Sequence, residues 1–450
     1  MFPATSWISA ARSRVLDGLR SRPAAFARAC GLLFREPLPP GDLTALDVLE
    51  KANRAALRLR ADALGPIFKG VAWDEFCVCI VGLDRCRRLT QEHRADLQVL
   101  TMELEHLIPK GFLCAMEGDD HREIRRATHR AQKAVTPAQG NGPAEDPVLE
   151  GIARDGLAGF VQRAAEHQNS AEAYTAAMSA MATSMLTWVF FGARPGTPEH
   201  ARFLGHFQEM GPRGLVWTPQ QKQERAFRAF SEDMRSEVEA LRAGHGRLAP
   251  EGLLVRMLAD RALDDTMLGN LIYQVEMSRS DMKNLFRWLT RHASDDPDVV
   301  DALATENPVA AGGRSLAEAF VLETLRTDQS ERMMRRAVRD IVFDGFLIPR
   351  HAMVRLCLWE SHHAPEAFAN PHQFDAGRFK NSMPGNDTYA PFGVDHHQCP
   401  MGGLAIRLGM IFLKALARGY RVTALTPGPP TRGAHHWEPS PRFSVQLTPR

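Results

Sequence analysis

The sequence predicts a mainly α-helical fold with small β-sheets, and three patterns indicate it. Apolar residues recur at helical spacing in several long stretches, most clearly over residues 264–289. Two shorter stretches, 71–81 and 335–349, have the composition and alternation of β-hairpins. The third pattern, near the end of the chain at residues 392–419, is a single cysteine in a loop just before an amphipathic helix.

The composition indicates a globular protein and narrows its partners. The chain has 450 residues, of which 44% are hydrophobic, and no change in composition divides it into halves. One large domain or two closely packed domains are therefore expected. Its 55 basic and 53 acidic residues leave a net charge of +2, which gives no reason to expect a nucleic-acid or membrane partner. Local charged patches remain possible.

The cysteines and the N-terminus predict the compartment. Seven cysteines, an odd number without paired CxxC spacing, argue against a zinc site or a disulfide scaffold and favour a reducing compartment. The first thirty residues are interrupted by Arg12, Arg14 and Asp17, so they form neither a secretory signal nor a membrane span. We expect a soluble cytoplasmic protein, with an organelle transit peptide as the weaker alternative.

A loop and a basic helix follow the first hairpin. Residues 104–120 contain Pro109, Gly111 and Gly118, which favours a loop that lines a site over a packed element. In the helix predicted next, His121 and Arg125 are four residues apart and so share one face. That face could hold an anion, and the alternative is a solvated basic helix.

The long helix over 264–289 begins with oxygen-bearing residues at 264–266, which are typical helix caps. Its polar residues are informative because their neighbours are apolar. Gln274, Glu276 and Ser278 could project into a cavity, whereas the alternative for Glu276 is an ion pair with Arg279, three residues on.

Further along, Glu323 and Arg326 form an acid–base pair at helical spacing within a helix over 316–326. Such pairs usually lie on wet surfaces and stabilise little. The sequence then alternates around Asp344-Gly345, a strong hairpin signal, which places Arg335 on or next to a strand.

The cysteine loop reads F-G-V-D-H-H-Q-C-P-M-G-G from Phe392 to Gly403. Pro400 suits the opening of the helix that follows and ends near Gly419. A thiol ahead of a helix N-terminus is favoured as the thiolate, the form that binds metals. Cys399 is therefore interpreted as an iron ligand, and the alternative is a buried apolar thiol.

In their order and spacing over about residues 70 to 450, these motifs resemble the cytochromes P450, which are haem-thiolate enzymes. Glu323-x-x-Arg326 resembles the E-x-x-R pair of that family, and Arg378 in F-D-A-G-R-F resembles the arginine that completes its structural triad. F-G-V-D-H-H-Q-C resembles the haem loop, with Asp395 where glycine is common and Cys399 as the proximal thiolate. The resemblance implies a single P450 domain over 1–450, with residues 1–45 as an N-terminal helical extension.

The same resemblance implies the cofactor, haem b with the Cys399 thiolate as the axial iron ligand. Basic groups suit the haem edge because its two propionates need fixed hydrogen-bond donors. The cofactor-binding residues that it implies are His121, Arg125, Arg335, Phe392, His397 and Cys399. Glu323, Arg326 and Arg378 would be structural supports.

Two methionines depart from the family pattern. Met401 stands two residues after the cysteine, where glycine allows close approach to the porphyrin, so it should point away or displace the turn. In the helix that resembles the I helix, the best register places Glu276 at the acid position and Met277 where threonine is usual. A thioether donates no proton, so Ser278 or water would have to replace the threonine, and the predicted catalytic residues are Glu276, Met277 and Ser278.

The resemblance also implies a substrate pocket near Phe112, Leu113 and Tyr273, and three functions remain open. The first is oxidation of a small organic molecule in secondary metabolism such as antibiotic biosynthesis. Its electrons would come from a ferredoxin-type partner and its reductase, docked on a basic face near Arg125, Arg126 and Arg407. The second is dehydration, cyclisation, rearrangement, group transfer or peroxide-driven oxidation, and the third is a non-catalytic helper subunit.

Overall fold

The computed structural model of the protein describes residues 4–100, 106–135, 146–167, 169–211, 221–260, 263–306, 313–328, 333–433 and 436–450. Within these ranges the chain is mainly helical and carries four small β-sheets. The predicted fold class is therefore confirmed.

The helices cover most of the middle of the chain. In order they are α1 (Ala4–Asp17), α2 (Pro23–Leu33), α3 (Leu46–Ala52), α4 (Ala56–Leu64), α5 (Leu83–Glu92), α6 (Gly118–Val135), α7 (Pro147–His167), α8 (Ala171–Phe191), α9 (Pro198–Glu209), α10 (Gln221–Arg242), α11 (Leu253–Asp260), α12 (Asp265–Asp295), α13 (Pro297–Ala304), α14 (Leu316–Thr327), α15 (Leu358–His362) and α16 (Gly402–Gly419).

The strands lie towards the two ends of the chain. They are β1 (Ile67–Ala72), β2 (Glu75–Val81), β3 (Leu97–Val99), β4 (Met333–Ala337), β5 (Ile341–Phe343), β6 (Phe346–Ile348), β7 (Met353–Cys357), β8 (Tyr420–Thr426), β9 (Thr431–Arg432), β10 (Trp437–Glu438) and β11 (Ser444–Pro449). The largest sheet has the order β1-β2-β7-β4-β3, in which only the β2–β7 pair is parallel.

Both predicted hairpins form. β1 and β2 pair antiparallel around a two-residue turn in which Trp73 and Asp74 have φ of 50° and 62°. β5 and β6 pair around Asp344 and Gly345, with φ of 48° and 82°. Positive φ at both central residues is the turn geometry whose twist matches paired strands.

The long helix α12 forms the centre of the main hydrophobic core and packs on α8, α10, α14 and α16. Asp264 caps it by accepting a hydrogen bond from the Met267 amide at 2.9 Å, as predicted for this position. Phe286 of α12 stacks on Phe412 of α16 with ring centroids 4.5 Å apart. α16 begins at Gly402, two residues later than Pro400 suggested, with Met401 as its N-cap. The α12–α16 contact holds the cysteine loop against the middle of α12.

The segment predicted as an N-terminal extension contains α1 and α2. Phe26 of α2 packs on Phe76 of β2 with ring centroids 5.4 Å apart, so α2 lies on the largest sheet. None of the helices that the structure describes combines the length and the apolar composition needed to cross a bilayer.

Candidate haem-thiolate site

A buried ion cluster holds the segment that leads into the cysteine loop. Arg326 donates from Nε and Nη2 to the two Glu323 carboxylate oxygens at 2.8 Å each, and Arg378 Nε donates to the same oxygens at 3.0 and 3.1 Å. Glu323 and Arg326 are 0% exposed. The pair is thus not the wet surface pair that its spacing alone suggests. Arg326 Nη1 also donates to the carbonyls of His362 and Pro371, which fixes the irregular segment before the cysteine loop.

The cysteine loop turns back on itself, so that Cys399 lies beside Phe392, the first residue of the loop. The Cys399 amide donates to the Phe392 carbonyl at 2.8 Å, and the Gln398 amide donates to the Asp395 carbonyl at 3.0 Å. Gly393 has φ of 106°, and a Cβ atom there would lie 3.2 Å from Gln398 Cα. Glycine is therefore required for this turn.

Cys399 opens into a cavity of about 300 Å³, which lies between the loop, α12, the 106–117 loop and the end of the largest sheet. Most of the predicted site residues line this one cavity. They are Phe112, Leu113, Arg125, Tyr273, Met277, Ser278, Arg335, Phe392, His397 and Cys399. His121 and Glu276 are not among the described residues that line it.

Exposure separates Cys399 from most other cysteines. Cys30, Cys79, Cys86 and Cys357 are buried, and burial raises the pKa of each thiol above its usual value. Cys399 is exposed towards the cavity. The buried thiols are inert packing groups, whereas Cys399 is accessible to a metal.

Helix α6 brings a cation to the same cavity. Arg125 donates from Nη1 to the Gln398 carbonyl at 2.9 Å, next to the cysteine. Burial lowers the pKa of Arg125, as expected for a desolvated cation that lacks a full counter-charge. His121, one turn earlier, is 3% exposed, and its ring lies 4.8 Å from that of His397, behind the cavity wall. The predicted shared face exists, but Arg125 alone of the two reaches the cavity.

Arg335 has a protein carboxylate as its partner. Its Nε and Nη2 atoms donate to Asp395 Oδ2 at 3.2 and 2.5 Å, and both side chains are buried. Burial raises the pKa of Asp395, but the Arg335 charge outweighs it and holds that pKa below its usual value. The Asp395 carboxylate also accepts from the His397 amide at 2.9 Å. Asp395, at the position where glycine is common, therefore connects the loop to β4.

The structure does not bring all three predicted catalytic residues to the cavity. Met277 and Ser278 line the cavity, together with Tyr273, one turn before. Glu276 points elsewhere: both of its carboxylate oxygens accept from Arg279 at 2.9 Å, and it is 4% exposed. The expectation that Glu276 keeps an acid at the cavity is therefore wrong, because the pairing with Arg279 satisfies its charge.

One residue that holds the cavity wall in place was not predicted. Asn270 is 1% exposed, accepts from the Leu113 amide at 2.7 Å and donates to the Gly111 carbonyl at 3.1 Å, which fastens the 106–117 loop to α12. As a result Phe112 packs on Tyr273 with centroids 4.0 Å apart. A lone asparagine on an apolar helix face was the available signal. Met401, which was expected to point away or displace the turn, lines the cavity with an ordinary φ of −105°.

These features define a haem-thiolate protein: an accessible cysteine faces a largely apolar cavity whose edge carries cations. The cytochrome P450 family profile matches residues 313–437. Abscisic acid 8'-hydroxylase 3 of Oryza sativa subsp. indica is 30% identical over 37% of this chain and 35% of its own length. The chain thus spans about a third of that relative. Abscisic acid 8'-hydroxylase 1 of Oryza sativa subsp. japonica is 25% identical, with 88% of this chain and 86% of that protein covered.

Solved structures show the same fold. A cyanobacterial P450 with bound retinoic acid superposes with a TM-score of 0.69 at 17% identity, covering 93% of this chain and all of that one. P450SP alpha in complex with (R)-ibuprofen gives a TM-score of 0.67 at 15% identity, covering 90% and 98%. The chain therefore has the cytochrome P450 fold, and its residues 313–437 match the profile of that family.

The cofactor of this family is haem with an axial cysteine thiolate, and the residues present fit it. Cys399 and Arg125 face one cavity, and a cation suits a propionate there. The Nδ1 atom of His397 is buried and has no hydrogen-bond partner among the described residues, as expected for a group that awaits a polar ligand. Cys399 would be the axial ligand. The roles of the other predicted site residues stay predictions.

Proposed function

We propose that this protein is a haem-thiolate oxygenase that oxidises a small, largely apolar molecule. The observation that carries the proposal is the position of Cys399 in a cavity of about 300 Å³ whose lining is mainly aromatic and aliphatic. Sites of this kind, with a mainly apolar lining and few polar groups, suit small organic molecules. Bound haem supplies oxygen activation, which a thiolate ligand favours over histidine.

The lining also indicates what kind of molecule to test first. Four methionines reach the cavity, at positions 277, 333, 334 and 401. Thioether chains are flexible and polarizable, so they adapt to irregular apolar shapes. Several related proteins have apolar acids in their names, among them abscisic acid, ent-kaurenoic acid and retinoic acid. Apolar carboxylic acids are therefore the first candidates.

Ser278 and Asp281 replace the acid–alcohol pair in this proposal. They are three residues apart on α12, so they share a face, and both line the cavity. The Asp281 side chain is 47% exposed and lies 3.5 Å from His436 Nδ1, so it can take up protons from solvent. Ser278 Oγ, as both donor and acceptor, would pass a proton into the cavity, which the thioether of Met277 cannot do.

The electron donor is proposed to be a ferredoxin-type protein that binds the exposed basic face of α6. Arg122, Arg126 and Arg130 are exposed there. Arg407, which was expected on this face, is only 7% exposed and lies 3.7 Å from Asp146, so it does not belong to the surface. We also propose a cytoplasmic location, which the seven cysteines without paired CxxC spacing support, and a role in secondary metabolism.

A second candidate is peroxide-driven or non-hydroxylating chemistry. It is favoured by one observation: Glu276 is held by Arg279 and Met277 occupies the cavity, so the usual pair that delivers protons to oxygen is missing at this point. A reaction that starts from peroxide does not need protons to be delivered to reduced oxygen. The third possibility, a helper subunit without haem, has no use for an accessible cysteine beside cations.

One experiment separates these functions. Purified holoprotein is screened with apolar acids for changes in the haem spectrum, and binders are then incubated either with NAD(P)H, ferredoxin and reductase or with hydrogen peroxide. Product formation with oxygen consumption supports the proposal, and product with peroxide alone supports the second candidate. The Cys399→Ala variant is the control. Haem-free protein, or no turnover under either condition with any binder, would refute the oxygenase proposal.

A further inference from the structure

A second group of metal-binding side chains lies beside the haem cavity. Glu117, at the end of the 106–117 loop, meets His396 and His397 of the cysteine loop. Glu117 Oε1 lies 3.2 Å from His396 Nε2 and 2.9 Å from His397 Nε2. The three ligand atoms all lie within 4.8 Å of one another. A carboxylate and two imidazoles thus converge on one point.

A third histidine, His121, lies next to this cluster. His121 is 3% exposed, and its ring lies 5.7 Å from that of His396 and 4.8 Å from that of His397. Its Nε2 atom is buried and has no hydrogen-bond partner among the described residues. A buried nitrogen of this kind is costly unless a ligand or an ion satisfies it.

The spacing and chemistry suit a transition metal. Zinc bonds of about 2.0–2.1 Å place the ligand atoms of a tetrahedral site about 3.4 Å apart, close to the 2.9 and 3.2 Å observed here. Imidazole with carboxylate favours zinc and its neighbours over magnesium or calcium, which prefer oxygen alone. Glu117 and His396 are 53% and 22% exposed in their side chains, so an ion can enter from solvent.

We propose that Glu117, His396 and His397 bind a divalent transition-metal ion of the zinc class. The ion joins the cysteine loop to the start of α6. Arg94 lies 3.8 Å from Glu117 Oε2, but this contact is long and 49% exposed on the arginine side, so the ion displaces it at little cost.

The site is coupled to the haem through the His397 ring. Its Nε2 atom faces Glu117, whereas its Nδ1 atom is buried and the residue lines the haem cavity. Metal-binding histidines usually donate their other ring N–H to a carboxylate, which fixes the ring. With haem bound, a propionate would be the carboxylate that the His397 Nδ1–H could reach. An ion on Nε2 therefore adds positive charge near the haem and raises its reduction potential.

The test uses the holoprotein, freed of metal with a chelator and titrated with Zn²⁺ by calorimetry. We expect one equivalent to bind. Glu117→Gln and His396→Asn should each weaken binding by more than about 100-fold, since loss of a mere outer partner already costs about 10- to 100-fold. Glu224→Gln is the matched control, because Glu224 pairs with the exposed His106 at 3.2 Å without a third ligand.

The haem reports the coupling separately. Zn²⁺ should raise the reduction potential of the wild-type haem and of Glu224→Gln, and leave that of His396→Asn unchanged. The haem spectrum without zinc shows that each variant is folded and loaded. Absence of Zn²⁺ binding, or a wild-type affinity for Zn²⁺ in either Glu117→Gln or His396→Asn, overturns the site. Binding without a shift in potential overturns the coupling.

Discussion

Replacement of Glu323 by glutamine tests how much the buried ion cluster of Glu323, Arg326 and Arg378 stabilises the fold. Glu323 is fully buried and accepts from Arg326 at 2.8 Å, from Arg378 at 3.0 Å and from the Asp375 amide at 3.1 Å. Glutamine keeps the shape but removes the charge and turns one acceptor into a donor. Arg326, which is 0% exposed, then loses the counter-charge of Glu323. Breaking a buried pair in this way costs about 3–5 kcal/mol.

That loss is a large part of the stability of a folded protein, which is about 5–15 kcal/mol. We expect Glu323→Gln to lower the urea midpoint strongly and to release haem at lower urea, followed by the haem band and by circular dichroism. Asp119→Asn is the matched control, since Asp119 and Arg122 form an exposed pair at the same i,i+3 spacing. The control should leave the midpoint essentially unchanged. Equal midpoints for the two variants would refute the reasoning.

Three further predictions concern the iron ligand, the cavity and the buried histidine of the scaffold. Cys399→Ala should abolish the thiolate-type spectral shift of the reduced protein under carbon monoxide, and an unchanged shift would exclude Cys399 as the ligand. Met277→Thr should keep that shift but alter product or the ratio of product to oxygen consumed, measured with a converted substrate. His362 is fully buried, accepts from the Ala390 amide at 3.0 Å, and burial lowers its pKa from 6.5 to about 3. Because only the unfolded chain takes up this proton, the free energy of unfolding should fall as pH drops from 6.5 towards 3. The fall should be up to ~1.4 kcal/mol per pH unit and smaller in His362→Gln, as urea midpoints across pH would show.

The sequence predicted the scaffold well because its signals are local. Helical periodicity, the Asp264 cap and the Asp344-Gly345 turn each depend on residues within a few positions, and all three appear in the structure. The motif order added the cysteine loop and the triad, because the resemblance carried information about contacts distant in sequence. The spacing of Glu323 and Arg326 alone could not predict that the pair is buried. Its burial depends on how Arg378 and the following segment fold over it.

The site was harder to predict because its determinants are long-range and directional. On α12 the residues one and two turns apart at 273, 277 and 281 share the cavity face, whereas Glu276 lies about 100° around the helix from Met277, on the side away from Ser278. The sequence allowed both a cavity-facing acid and a pair with Arg279, and only packing decides between them.

Asp395 shows the same limit. Its presence in place of glycine was visible, but its partner Arg335 is 60 residues away, and the ion pair brings a carboxylate of the chain itself to the haem edge. The cation that the family motif assigns to a propionate is therefore already partly neutralised, so we expect Arg125 and His397 to be the principal donors to a bound haem. Substitution of Arg125 should thus weaken haem binding more in this protein than in a relative with glycine at the position of Asp395.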